Sequence, residues 1–94
     1  MGKNKVMELV LDNYRGGEVK EIKVNNRKEY EMAVSEYLME DPDNLVTVRG
    51  KKSYTIELST NEIYGVFEVT NPANRVFLEL DLAMVFIWEN VNKN

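Results

Sequence analysis

Val76-Phe77-Leu78-Glu79-Leu80-Asp81-Leu82-Ala83-Met84-Val85-Phe86-Ile87-Trp88 is the most apolar run of the chain, interrupted only by Glu79 and Asp81. The rest of the chain has to cover it. Read with a period of two, Val76, Leu78, Leu80, Leu82, Met84, Phe86 and Trp88 share one face, apolar throughout. Phe77, Glu79, Asp81, Ala83, Val85 and Ile87 share the other, which begins acidic and turns apolar after Asp81. A helix starting at Leu82 would be apolar nearly all round, and the clustering of Val, Phe, Ile and Trp favours a strand. The stretch is therefore expected to be extended. As one straight strand it would span about 43 Å at roughly 3.3 Å per residue. A domain of this size has a radius of gyration of ~12 Å and is roughly 32 Å across. The chain is therefore expected to bend near Asp81, or to have the end carrying Val85, Ile87 and Trp88 covered by a partner.

The 94 residues fit one domain, 1–94, with 1–5 and 90–94 expected to fray. A hydrophobic content of 44% supports a modest core, and 30% charged residues without low-complexity runs argue against disorder. No window has the length and apolarity of a membrane span, and no signal-peptide pattern opens the chain. There is no cysteine, which removes disulfides and thiolate chemistry and fits a cytoplasmic setting. There is no histidine either, which removes the commonest general base and transition-metal ligand. A net charge of −4 weighs against a general nucleic-acid binder.

Working outward, Val6–Leu11 and Glu18–Val24 alternate as strands, joined by a loop ending in Gly16-Gly17. Asn26 is placed as a helix N-cap, with Glu29 completing a capping-box-like start. Tyr30, Ala33, Val34, Tyr37 and Leu38 form one helical stripe, and Pro42 ends the helix at Asp41. Leu45–Arg49, Ser53–Ser59 and Ile63–Thr70 read as strands, with Tyr54, Ile56 and Leu58 on one face and Gly65 as a candidate bulge. Ser59 and Glu62 have capping-box spacing over a turn, and Asn71-Pro72-Ala73-Asn74 is a proline turn. The order predicts an α+β fold: a mostly antiparallel sheet of five to seven strands on one amphipathic helix, in ββα-ββββ order.

Candidate sites are surfaces. Glu36, Glu40, Asp41 and Asp43 gather where the helix ends, against its dipole, and suggest a docking patch for a basic protein surface. Val85, Ile87 and Trp88 suggest an apolar contact, with homodimerisation through an 83–88 strand. Arg49, Lys51, Lys52 and Tyr54 form a basic-aromatic hairpin tip that could hold a single strand of nucleic acid. Glu57, Glu79 and Asp81 could meet on a sheet face, but a solvated face explains them better than paired-carboxylate chemistry. No catalytic, cofactor or metal site is assigned. Asp41, Asp43 and Asn44 lack the spacing of a calcium loop. The expected function is a small non-enzymatic protein-binding module that regulates or inhibits a larger protein, of the kind found among phage and bacterial accessory proteins. The alternative is a single-stranded nucleic-acid-binding module using 49–54.

Overall fold

A computed structural model describes residues 7–59, 66–70 and 74–93. Six antiparallel strands and two helices follow in the order β1 (Met7–Asn13), β2 (Lys20–Val24), α1 (Arg27–Glu40), β3 (Asn44–Arg49), β4 (Ser53–Ser59), β5 (Val66–Thr70), β6 (Arg75–Phe77) and α2 (Leu80–Asn90). The fold is α+β, with one sheet of order β2-β1-β3-β4-β5-β6. The expected fraying of 1–5, the Ser59–Glu62 spacing, the Gly65 bulge and the Asn71–Ala73 part of the proline turn involve positions outside the described residues.

β2 and β3 both run antiparallel to β1, on either side of it, so α1 carries the chain across β1. The remaining strands form a meander. Register follows from side-chain alternation. Leu9 lies opposite Ile22 and Val48, Val46 opposite Ile56, and Ile56 opposite Val69, which puts these apolar side chains on one face. Both helices cover that face. Leu9, Val46, Val48, Ile56 and Val69 are fully buried there. The other face carries Glu8, Val10, Thr47, Thr55, Glu57 and Glu68, all half-buried.

α1 forms as its local signals predict. Asn26 accepts from the Glu29 amide at 2.9 Å, and the Glu29 carboxylate accepts from the Asn25 amide at 2.9 Å, so two orphan donors are satisfied. Tyr30, Val34 and Leu38 are buried, with Ala33 and Tyr37 partly so. Asp41, before Pro42, is extended and ends the helix.

The opening stretch departs from expectation. Only Val76 and Phe77 of it are strand, and Leu80–Asn90 is a second helix, so the sheet carries two helices. The chain turns at Leu78-Glu79, just before the expected bend at Asp81. The helix is stable because its apolar residues have partners on several sides. Ala83, Met84, Ile87 and Val91 are buried at helical spacing. Trp88 meets Tyr30 of α1, with ring centroids 5.3 Å apart. Phe86 meets Phe77 of β6 at 5.5 Å and Tyr54 of β4 edge-on at 5.7 Å. With neighbours on both flanks, the helix has little need of a polar face there. Part of the tail expected to fray is held instead: Val91 is fully buried and its carbonyl accepts from the Lys52 amide at 2.9 Å.

Two substitutions probe this packing. The Tyr30 hydroxyl donates to the Met84 carbonyl at 2.7 Å, from a side chain with no exposed surface. Tyr30→Phe is expected to lower stability by about 1 kcal/mol, read as a fall in the urea midpoint at unchanged slope. A Cβ added at Gly50 would press on the Asn92 side chain and lie 3.0 Å from the Val91 carbonyl oxygen. Gly50→Ala is expected to cost ~1–3 kcal/mol in the same measurement, because backbone cannot yield as a flexible side chain can.

Candidate functional site

The acidic end of α1 is built partly by a residue distant in sequence. Arg15, in the β1–β2 loop, forms ion pairs with Asp41 and, at 3.0 Å, with Asp43. Asp41 also accepts from the Asp43 amide at 2.9 Å and from the Asn13 amide group. These contacts hold its carboxyl below the usual carboxylate range, the Asp43 amide contributing most. Asn44, buried, donates to the Tyr37 carbonyl at 2.7 Å and accepts from Asn13, which satisfies an open carbonyl in the last turn of the helix. Arg15 thus supplies the cation that the helix end itself lacks. Of the four acids proposed as a patch, Asp41 and Asp43 anchor the loop, while Glu36 and Glu40 stand exposed.

A cleft of about 450 Å³ opens here, lined by Asn13, Arg15, Glu18, Lys20, Glu40 and Asp41 among others. Next to it lies a second cleft of about 310 Å³, with Leu11, Ile22 and Ala33 as apolar lining and Glu36 and Glu40 at its acidic side. Lys20, Tyr37 and Glu40 line both, so the two form one groove between α1 and the β1–β2 hairpin. Tyr37 is fixed in the groove by its hydroxyl, which donates to the Asp12 carbonyl at 2.9 Å. Four carboxylates, from Glu18, Glu36, Glu40 and Asp41, face two cations, Arg15 and Lys20. The groove is amphipathic and on balance acidic.

The other candidates are rearranged. Ile87 is core, Trp88 is half-buried between the helices, and Val85 is half-buried on α2. An 83–88 strand for homodimerisation does not exist, because the segment is helical. Tyr54 is buried opposite Val48 on the helix-covered face and cannot stack a base. Arg49 pairs with Glu8 at 3.2 Å. The Lys51 and Lys52 amides are tied to Asn92 and Val91, which makes 50–52 a docking point for the chain's end. Glu79 and Asp81 start α2, on the opposite side of the sheet from Glu57. Glu57 instead lies across from Glu68 on the open face. No helix among the described residues is long and apolar enough to cross a membrane.

Sequence reading missed Arg15 and the places of Lys20 and Tyr37 in a groove wall; Lys20, with Lys23, is legible only as a possible addition to the basic residues of the nucleic-acid alternative. The signal available was the β1–β2 hairpin, which already implied that its loop lies near one end of the sheet. Also missed was Tyr14, whose hydroxyl donates to Glu57 at 2.7 Å on the open face. That bond, with burial and the charges of Glu57 and Glu68, pushes the Tyr14 hydroxyl up to about 12. Tyr14 is neutral in both folded and unfolded chains at neutral pH. The stability it contributes is therefore complete below the unfolded value near 10 and is lost as pH rises through about 12. Glu57→Gln is expected to bring the Tyr14 titration, followed by NMR of its ring, back toward 10.

In comparisons with known proteins, the chain matches no family model, no curated protein and no solved structure.

Proposed function

We propose that the protein is a small non-enzymatic binding module that regulates or inhibits a larger protein by holding an extended basic segment of it. The observation that carries this reading is the α1–hairpin groove, where an apolar lining of Leu11, Ile22 and Ala33 adjoins the exposed carboxylates of Glu36 and Glu40. Apolar side chains of a partner would supply affinity on that lining. Lys or Arg side chains between them would meet the acidic side and speed encounter. Asp41 and Asp43 contribute by keeping Arg15 and the loop in place, so the groove wall is preorganised. A chain with neither histidine nor cysteine suits a role that rests on surface rather than on bond chemistry, and a cytoplasmic setting fits the missing cysteines. Such a regulator would be at home among phage or bacterial accessory proteins.

The test is selection from a displayed random peptide library on the full chain. Peptides that mix apolar residues with Lys or Arg are expected to be enriched. Their binding should weaken with added salt and fall at least tenfold in Glu36→Lys/Glu40→Lys. Failure to enrich such peptides, or equal binding by the double variant, would remove the support for this reading.

A further inference from the structure

The open face of the sheet carries a cleft of its own. It holds about 250 Å³ and is lined by Tyr14, Asp43, Glu57, Ser59 and Glu68 among others. Glu57 of β4 and Glu68 of β5 are direct partners in the register, both half-buried, and like charges so placed repel. Among the described residues no cation pairs with either of them. Arg15, next to Tyr14 in the chain, is engaged by Asp41 and Asp43 instead. The Tyr14 hydroxyl donates to one Glu57 oxygen at 2.7 Å, and the other oxygen has no partner among the described residues. Ser59 follows Glu57 by two residues and so shares its face of β4. It is only 9% exposed, yet its hydroxyl makes no hydrogen bond among the described residues, where a polar group so buried is ordinarily paired. No wholly enclosed side-chain polar atom among them lacks a partner, so this unpaired hydroxyl opens into the cleft that it lines.

We infer that this cleft binds a guanidinium group, held between Glu57 and Glu68 with the Ser59 hydroxyl as a further acceptor. The unpaired groups all accept hydrogen bonds, and two of them are anionic, so the occupant is a cation rich in donors. A guanidinium is planar and offers its donors as a rigid fork, so it can bridge two carboxylates and still reach a hydroxyl. Residues opposite on antiparallel strands have Cβ atoms about 5 Å apart, which leaves such a group room between their carboxylates. A metal ion is a poorer match. It draws oxygen ligands to about 2–2.6 Å, and no group of three or more acidic side chains among the described residues is placed to hold one. The volume points to the end of a side chain or a molecule of that size, since pockets for larger ligands run from roughly 300 to 1,000 Å³. Tyr14, 64% exposed at the rim, offers a ring on which a guanidinium can stack. Binding would also remove the repulsion that the free chain carries between Glu57 and Glu68. The cleft lies on the open face, whereas the groove lies beside α1, and either assignment can fail without the other.

The test is an NMR titration of the full chain at neutral pH and low salt. The probes are acetyl-arginine-amide and methylguanidinium, with acetyl-citrulline-amide as a neutral match in shape. Saturable shifts of the Tyr14 ring and of the Ser59 and Glu68 amides are expected with the arginine probe and not with the citrulline one. Glu68→Gln should raise the dissociation constant about tenfold, and Ser59→Ala about threefold, with circular dichroism confirming that each variant folds. Tighter binding of the arginine probe would support the site and assign it to an arginine side chain of a protein. Equal or tighter binding of methylguanidinium would support it and assign it to a free guanidinium compound. Absence of a saturable shift would overturn the inference. So would equal shifts with the citrulline probe, shifts confined to Glu36 and Glu40 of the groove, or a dissociation constant unchanged in both variants.

Discussion

The Tyr30 hydroxyl bond to the Met84 carbonyl ties α1 to α2 at the seam between the two helices that cover the core. A six-stranded sheet with one apolar face needs a layer over all of it, and α1 alone does not provide that layer. α1 packs chiefly on β3, and α2 packs on β5 and β6. The seam between the helices lies over the middle strands, where a gap would expose Val48, Tyr54 and Ile56. Tyr30 fills it with an aromatic ring against Trp88 and a hydroxyl whose hydrogen bond is made within the seam. Burial pushes that hydroxyl's ionisation far above the ordinary tyrosine value, so it remains a neutral donor across the physiological range. The interaction is directional, and it fixes the position of α2 along α1 in a way that apolar contact alone would not.

The second constraint is electrostatic. α1 ends in carboxylates where its dipole favours cations. The fold resolves part of this conflict by bringing in Arg15, 26 residues before Asp41. The positive-φ backbone of Gly16 and Gly17 lets the chain turn just after Arg15 and return as β2. Arg15 is mostly exposed, so the ion pairs act more by positioning the loop than by adding stability. Glu36 and Glu40 are left outside this arrangement. Their charges run against the helix dipole and line the groove.

How much could be read in advance depended on whether the deciding contacts were local. In α1 the Asn26 cap, the Tyr30–Leu38 stripe and the stop at Pro42 agree within one stretch, and the helix was legible. The strands were legible because one face of the sheet is open, which preserves alternation. α2 was not. Its flanks are closed by Tyr30 and Tyr54, residues far away in sequence, and by Phe77 of the strand just before it, so its pattern had no polar side to reveal a helical period. Short apolar runs of this kind do not distinguish helix from strand. The Asp41 and Asp43 roles were hidden for the same reason, since Arg15 is remote. Tyr54 is different, because its assignment to an exposed tip conflicted with a reading already made. Sharing a face with Ile56 and Leu58 places it inward, and that alternation outweighs the neighbouring lysines.

β2, beside the groove, carries Lys20, Glu21 and Lys23, all exposed, and charges of that kind oppose pairing with a further strand. A segment lying in the groove would therefore be gripped by side chains, the apolar lining and the carboxylates, and not by extension of the sheet. Its affinity would then depend on which side chains it presents, and its salt dependence on how many of them are cationic.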